Sequence, residues 1–350
     1  MREINETIGL CDQCYRHIPA IKFERDGAIW LGKTCQEHGY SESLIEPDAE
    51  FYLKYKYPFR LPKGYFIDIT NKCNLKCPHC YQMPDNSLSN RSVEAILDQI
   101  LSWEDDGYGL ALAGAEPTVR RDLDILVKSI ADLSIKPRRV IILSNGVNLS
   151  SETYVKKFKD INNLMWTIGL NHPDYHGAKI RSKQMAGIHN CISNGIFIKD
   201  ISYTLEDLSQ LEYCLEEIQE LSKILPSNFR IRCGTDIGIN PDMPQLYLSQ
   251  LVYAVKEICD KKSWSYIPKS DEGIRAHYPV LINDVFVKII QWPDVSTIDL
   301  EEMQTEAWGD LLPRYPISPL VHQVILRDAL INNNMPLLDT VPKKYRRHHD

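Results

Sequence analysis

The sequence predicts an α/β fold in which six strand–helix units form a partial (β/α)6 barrel of the TIM type. From residue 64 onward, short and nearly continuous apolar runs alternate with segments of helical periodicity. Continuous apolar strands are typical of a parallel sheet that is buried on both faces. Because the crossovers of such a sheet are right-handed, we expect the functional site at the carboxyl ends of the strands.

The chain divides into three predicted parts: a small metal-binding module over residues 1–55, the barrel core over 60–265 and a C-terminal extension over 266–350. The six core strands are predicted over residues 64–70, 109–114, 138–146, 164–171, 196–205 and 229–240. Helices are predicted near 90–104, after Thr118, from about 151, and over 178–193, 208–225 and 246–261. The extension contributes a further strand over 285–294, then helical segments and a basic tail.

Composition excludes several classes of protein. A net charge of −7 over 350 residues gives no basic domain of the kind that binds nucleic acid. We find no apolar run of about 18 residues, so no membrane span is expected. The first residues lack a basic segment followed by an apolar one, which makes a secretory signal unexpected. These features indicate a cytoplasmic protein.

Six of the ten cysteines fall into two tight groups, and close spacing in a reducing compartment indicates metal binding rather than disulfides. The first group is Cys11, Cys14 and Cys35, and the second is Cys73, Cys77 and Cys80. The four others lie in apolar stretches and are interpreted as small buried hydrophobic residues; they are Cys191, Cys214, Cys233 and Cys259.

The second group has the spacing CxxxCxxC and directly follows the first core strand. One short loop can therefore hold three corners of a four-iron four-sulfur cluster, whose irons bind cysteine thiolates. The fourth iron would stay open for a substrate or cofactor. The alternatives are a zinc site, with His79 as its fourth ligand, or core cysteines grouped by chance.

This motif, at this place in a βα repeat, resembles the radical S-adenosylmethionine (SAM) enzymes. The resemblance covers about residues 64–240. It implies that Cys73, Cys77 and Cys80 form the catalytic centre, whose open iron binds the amino and carboxylate groups of SAM. An electron from the cluster then cleaves SAM to methionine and a 5′-deoxyadenosyl radical, which takes a hydrogen atom from the substrate.

The same resemblance assigns cofactor contacts to the loop and to the strand ends. The second strand ends in a sequence similar to the family's GGEP motif, with alanine in place of its second glycine. An ordinary βα turn is the alternative interpretation. The predicted cofactor contacts are His79, Gly114, Ala115, Glu116, Pro117, Ser144, Asn145, Asn171 and Arg232.

In the N-terminal module a CxxC and a CxxH flank a short β-like stretch, which matches a closed Cys3His metal site. The predicted ligands are Cys11, Cys14, Cys35 and His38, with zinc as the first metal and mononuclear iron as the second; His38 alternatively lies on the surface. A module this small needs a metal for stability. The segment also resembles the N-terminal part of a radical SAM subgroup that includes tetraether lipid synthases and a pterin methylase.

Candidate substrate contacts lie in the loop after the fourth strand and on the two strands that follow. They are His172, Asp174, His176, Tyr203 and Asp236, each of which alternatively has a structural or solvated role. The expected substrate is a small molecule, a lipid or a cofactor precursor, and a peptide is the alternative. A one-electron donor such as flavodoxin or ferredoxin is the expected partner. The rival from another class is a non-catalytic zinc protein that binds a partner.

Overall fold

A computed structural model of the chain describes residues 1–14, 16–54, 64–77, 80, 84–102, 109–134, 137–233, 246–269, 277–291 and 297. This part of the chain contains a four-stranded antiparallel sheet and a nine-stranded mixed sheet. The first sheet forms the N-terminal module, and the second carries the candidate site.

The N-terminal sheet pairs its strands in sequence order. Its strands are Arg2–Leu10 (β1), His17–Arg25 (β2), Ala28–Cys35 (β3) and Gly39–Glu46 (β4). Asp26 and Gly27 join β2 to β3 with φ values of 53° and 75°. Two positive φ values are what a tight two-residue hairpin turn requires. The turns after β1 and β3 consequently lie at the same end of the sheet.

The larger sheet begins with six parallel strands, as the sequence predicts. They are Gly64–Asp68 (β5), Gly109–Ala113 (β6), Arg139–Ser144 (β7), Leu164–Gly169 (β8), Ile198–Leu205 (β9) and Asn228–Cys233 (β10). Three more strands follow: Tyr266–Pro268 (β11), His277–Ile282 (β12) and Val285–Ile290 (β13). The order is β11-β12-β13-β10-β9-β8-β7-β6-β5, so among the described residues the barrel is not closed.

Strand β13 lies in the predicted C-terminal extension but pairs in parallel with β10. The extension therefore continues the sheet of the core. Strand β12 reverses direction and pairs antiparallel with both β13 and β11.

The described residues form eight α-helices, most of which bury apolar side chains in the core beside this sheet. They are Ala49–Lys54 (α1), Val93–Leu101 (α2), Leu123–Ala131 (α3), Glu152–Val155 (α4), Pro173–His176 (α5), Ala178–Ser193 (α6), Leu211–Ser222 (α7) and Leu248–Lys262 (α8). Trp166 on β8 packs edge-on against Phe158, with ring centroids 5.2 Å apart. Burial of such side chains between strands and helices supplies the main stabilising free energy of this layer. None of the helices in the described ranges combines the length and the apolarity that a bilayer crossing needs.

The N-terminal module docks on α8 and β12 through a short polar and aromatic contact. The buried carboxylate of Glu46 accepts hydrogen bonds from the backbone N–H (3.3 Å) and the hydroxyl of Ser249. Tyr253 donates to Asp48 at 2.6 Å, and Phe51 stacks on Tyr278 with centroids 5.9 Å apart. The module and the core are therefore in direct contact.

This contact predicts a measurable pH dependence. Burial raises the pKa of Glu46, and the Ser249 hydrogen bonds oppose that shift. A raised folded-state pKa means that the stability contributed by this carboxyl is complete below its unfolded value of 4.5 and is lost as the pH rises through the folded value. Glu46→Gln cannot titrate at this position. In denaturant unfolding at several pH values, the free energy of unfolding of the wild type, relative to that of Glu46→Gln, should therefore fall above about pH 4.5. A difference that stays constant or grows with pH would contradict this assignment.

Candidate active site and metal centre

The cysteine loop begins where β5 ends, and backbone hydrogen bonds attach it to the end of β6. Ala115 N–H donates to the Thr70 carbonyl at 2.9 Å, and Glu116 N–H donates to the Lys72 carbonyl at 3.0 Å. The loop is thereby fixed before Cys73, and the first predicted cluster ligand lies beside the predicted SAM-binding turn.

Asparagine side chains hold Cys73 in place. Asn86 accepts from the Cys73 N–H at 3.0 Å and donates to its carbonyl at 3.2 Å. Asn145, at the end of β7, donates to Asn74 at 2.8 Å, and its Nδ2 lies 3.9 Å from Cys73 Sγ. Leu75 N–H also approaches that sulfur, at 3.3 Å. The sulfur thus receives N–H groups of the kind that stabilise a cluster thiolate.

Burial and neighbouring negative charge raise the pKa of two loop thiols, Cys73 and Cys77. Burial, and then the charges of Cys80, Cys73 and Glu116, raise the pKa of Cys77 to about 12. Burial is also the largest cause for Cys73, whose pKa rises to about 11. Thiolates in such a setting need a cation to stabilise them, and coordinated metal deprotonates a thiol. Cys73 and Cys77, which are partly buried and lie close enough to Cys80 for its charge to raise their pKa, therefore fit the predicted iron–sulfur cluster.

Gly114 adopts a conformation that brings the end of β6 against the loop. Its φ is +114°, and a Cβ there would lie 2.4 Å from the Thr70 carbonyl oxygen. Only glycine tolerates both the conformation and the close approach. Ala115 follows with its N–H bonded to that same carbonyl, and Pro117 begins a short 3-10 turn, Pro117–Val119.

The Glu116 carboxylate is fully buried and joins the ends of β6 and β7. Oε1 accepts from the Thr118 N–H at 3.0 Å, from the Thr118 hydroxyl at 2.5 Å and from the Ser144 hydroxyl at 2.8 Å. Oε2 accepts from the Asn145 N–H at 2.6 Å. Burial raises the Glu116 pKa, and these hydrogen bonds oppose that shift. Its observed contacts therefore connect protein elements, while the cofactor contact of Glu116 and Ser144 stays a prediction.

Two buried polar residues that sequence reasoning missed also connect the strand ends. Gln184 on α6 donates to the Asn145 carbonyl at 2.9 Å and to the Gly169 carbonyl at 3.0 Å. Arg120 donates to the Ile69 carbonyl at 2.6 Å and to the Arg91 carbonyl at 2.8 Å. The sequence could have indicated these buried contacts in two ways. Gln184 is a polar residue on an apolar helical face, and Arg120 directly follows a turn.

At the end of β8, Asn171 takes part in contacts within the protein. Its side-chain oxygen accepts from the Thr204 N–H at 3.2 Å, and its carbonyl accepts from Arg181 at 3.0 Å. Arg232 donates from Nε to the Thr204 hydroxyl at 3.1 Å and is partly exposed. Both lie near the carboxyl ends of their strands, and their contacts with SAM stay predictions.

The loop after β8 directs one histidine at the cysteine loop. His176 Nε2 lies 3.4 Å from Cys77 Sγ, and burial lowers the His176 pKa. His172 instead caps α5 and packs against the ring of Tyr213, with centroids 4.8 Å apart. The Asp174 side chain is 90% exposed. Of these three predicted substrate contacts, the structure brings His176 to Cys77, one of the predicted cluster ligands.

Tyr203, predicted as a substrate contact on the assumption that it points into the barrel, instead has the structural role that was its alternative. Its buried hydroxyl donates to Glu217 on α7 at 2.7 Å, so the side chain lies in the helix layer. The reason is a bulge in β9: Trp166 pairs with Ile198, but Thr167 pairs with Asp200. The extra residue, Lys199, reverses the facing of every later residue of the strand. Two other predicted residues, His79 and Asp236, lie outside the described residues.

The N-terminal module brings its four predicted ligands together. Cys11, Cys14 and Cys35 contribute sulfur atoms and His38 a ring nitrogen, all within 4.8 Å of one another. His38 Nδ1 lies 3.5 Å from both Cys11 Sγ and Cys35 Sγ, and Cys14 Sγ lies 3.9 Å from Cys35 Sγ. A tetrahedral zinc with bonds of about 2.0–2.3 Å gives ligand separations of about 3.5–3.8 Å. The donor set and the separations therefore fit one zinc ion.

Removal of the histidine should weaken metal binding in this module. Loss of a residue that only hydrogen-bonds to a metal ligand lowers metal affinity by about 10–100-fold. We therefore expect His38→Ala to lower zinc affinity by at least about 100-fold in competition with a chromophoric chelator. Glu37→Ala, at an exposed neighbour that pairs with Arg16, is the matched control and should retain affinity. Equal affinity in the two variants would show that His38 is not a ligand.

Comparison with known proteins identifies two domains. Residues 67–210 match the radical SAM superfamily, and residues 3–47 match the HMPTM N-terminal zinc ribbon domain. The first range holds all three loop cysteines and the ends of β6 to β8. The second holds all four ligands of the N-terminal site.

Curated relatives include several named enzymes. A 7,8-dihydro-6-hydroxymethylpterin dimethyltransferase of Methanocaldococcus jannaschii is 31% identical over 187 residues, which cover 44% of this chain and 37% of the relative. An Fe-coproporphyrin III synthase of Methanosarcina barkeri is 30% identical, with 37% and 34% covered. A probable GTP 3′,8-cyclase of Sulfurisphaera tokodaii is 29% identical, with 49% and 52% covered. The chain thus spans about half or less of the length of these relatives.

Among solved structures, Streptococcus suis SuiB aligns with a TM-score of 0.47 and 15% identity, covering 75% of this chain and 55% of its own. A second aligned structure, anSMEcpe with AdoMet and a peptide, has a TM-score of 0.43 and 15% identity and covers 57% and 60%.

Proposed function

Because residues 67–210 form a radical SAM domain and the chain is accordingly an enzyme of that kind, we propose that Cys73, Cys77 and Cys80 hold a four-iron four-sulfur cluster beside a SAM-binding turn at Gly114. The observation that supports this most directly is the loop itself. Burial raises the pKa of Cys73 and Cys77, Cys80 acts on both, and the segment before Cys73 is hydrogen-bonded to the end of β6. The donor set leaves one iron open for SAM.

When bound, the cluster supplies the electron that splits SAM into methionine and a 5′-deoxyadenosyl radical. The protein's own residues prepare the site for this chemistry. Gly114 lets the backbone at the end of β6 approach closely, and Glu116 and Gln184 hold the ends of β6, β7 and β8 in register. Rigid strand ends keep the reacting groups oriented, which is one of the contributions a protein makes when a cofactor carries the chemistry.

We assign the substrate to small molecules or cofactor precursors, with a pterin-like heterocycle as the first candidate. The names of the curated relatives refer to methylation of a pterin, synthesis of Fe-coproporphyrin III and cyclisation of GTP. The zinc ribbon matches a model named for the HMPTM family, and the pterin enzyme is 31% identical. A flavodoxin or ferredoxin would deliver the electron.

Deuterium transfer tests the substrate assignment. The reconstituted protein is incubated anaerobically with SAM, dithionite and deuterated 6-hydroxymethyl-7,8-dihydropterin, and 5′-deoxyadenosine is analysed by mass spectrometry. Deuterium in the 5′-deoxyadenosine would establish hydrogen abstraction from the pterin. If the pterin carried deuterium at all of its carbon-bound positions and the 5′-deoxyadenosine contained none, the pterin would be excluded and the radical SAM assignment would remain.

Metal analysis separates the proposal from the non-catalytic alternative. After anaerobic reconstitution, the proposed enzyme contains iron and acid-labile sulfide in addition to one ribbon metal. A protein that contains zinc in both sites and no sulfide would be the non-catalytic zinc protein.

A further inference from the structure

The contact between His176 and Cys77 joins two parts of the chain that are 99 residues apart. Cys77 lies in the loop after β5, whereas His176 is the last residue of α5, after β8. Nε2 and Sγ are 3.4 Å apart, within the range for a hydrogen bond to sulfur. Among the described residues, His176 thus contacts the Cys77 sulfur from the end of a different strand.

Local structure fixes the position of the imidazole. Helix α5 begins at Pro173, and His172 caps it by accepting from the Asp174 N–H at 3.4 Å. The Gly177 N–H closes the turn on the Pro173 carbonyl at 3.0 Å, and its φ of 79° leads into α6. The Tyr175 ring packs edge-on against the His176 ring at 4.6 Å. The ring nitrogen is therefore held toward the loop by its own short helix.

We propose that His176 is a positioning residue that donates an Nε2–H hydrogen bond to the Cys77 thiolate and raises the reduction potential of the cluster. The proposal rests on the proposed function, because it needs the cluster on Cys77. Reduction adds one negative charge to a cluster and its thiolates. An N–H donor stabilises that charge, so the donor favours the reduced state.

Cys73 and Cys77 then receive donors from different strand ends. Cys73 is approached by the Leu75 N–H and by Asn145 at the end of β7, and Cys77 by His176 after β8. Hydrogen bonds to sulfur are one of the means by which proteins set cluster potentials. Since SAM cleavage begins with reduction of the cluster, loss of the donor makes the enzyme harder to reduce by the same electron donor.

A redox titration followed by electron paramagnetic resonance tests the proposal. The reconstituted full-length protein is titrated without SAM as wild type, His176→Leu, His176→Gln and His189→Leu. We expect His176→Leu to lower the reduction equilibrium constant about tenfold, which is about 59 mV for one electron. The amide N–H of His176→Gln should restore most of the potential. His189 is an exposed histidine on α6, and its variant should match the wild type.

Iron and sulfide contents are measured first, so that loss of the cluster is not mistaken for a shift in potential. Equal potentials for fully loaded His176→Leu and wild type would overturn the proposal. Pulsed resonance of the reduced wild type with ¹⁵N-labelled histidine gives an independent answer if a variant fails to assemble. A weak ring-nitrogen coupling supports the hydrogen bond, and its absence overturns it. A wild type that binds no cluster would instead overturn the proposed function, and this inference with it.

Discussion

Replacement of Cys77 with alanine is expected to abolish cluster binding while the ribbon site keeps its metal. The thiol is one of the three cysteines that the loop supplies, and we expect the two that remain not to hold the cubane. The iron content of the anaerobically reconstituted protein should fall from about four per chain to near background, with a parallel loss of sulfide. Zinc in the N-terminal module should be unchanged, because its four ligands lie in a separate sheet.

Cys259→Ala is the matched control for this experiment. That thiol is buried in α8, and burial raises its pKa to about 11, yet it lies outside both ligand groups. The variant should retain the full iron and sulfide content. Equal iron and sulfide in Cys77→Ala and the wild type would mean that Cys77 is not a cluster ligand.

Gly114→Ala is expected to be the most destabilising single methyl addition in the site. The added Cβ would lie 2.4 Å from the Thr70 carbonyl oxygen, and the φ of +114° is unfavourable for any other L-residue. Backbone strain of this kind costs about 1–3 kcal/mol before the clash is counted. We therefore expect the free energy of unfolding to fall by more than about 3 kcal/mol, with loss of cluster binding in whatever protein remains folded.

Gly195→Ala separates strain from clash. Gly195 has a φ of +69°, but a Cβ there would meet no atom within 4 Å. Its cost should be limited to about 1–2 kcal/mol in the same denaturant titration. If the two variants lost equal stability, the clash between the added Cβ of Gly114→Ala and the Thr70 carbonyl would contribute nothing to the loss of stability.

The sequence predicted the parts of the site that depend on local spacing. CxxxCxxC and the CxxC with CxxH are short-range patterns, and the order of apolar runs predicted the six parallel strands in sequence. The ends of those strands meet because parallel strands point the same way. Asn145 could therefore be predicted to lie near the cysteine loop, and it lies 3.9 Å from Cys73 Sγ.

Contacts between distant residues were not predictable in the same way. Gln184 reaches two strand ends from α6, and although a polar residue on an apolar helical face indicates a buried contact, the sequence does not indicate which carbonyls it reaches. His176 was predicted to contact substrate, yet its nearest sulfur belongs to a residue 99 positions earlier. Tyr203 was assigned to the wrong face of β9, because the alternation of side chains along a strand does not reveal the bulge at Lys199.

Reductive cleavage of SAM is the direct test of whether the cysteine loop carries the cluster of a radical SAM enzyme. The wild type is reconstituted with iron and sulfide under anaerobic conditions, mixed with dithionite and SAM, and analysed for 5′-deoxyadenosine by chromatography. The proposed function predicts 5′-deoxyadenosine that depends on both SAM and reductant and is missing with Cys77→Ala. A fully loaded, reducible cluster that produces no 5′-deoxyadenosine, with or without the candidate pterin, would contradict it.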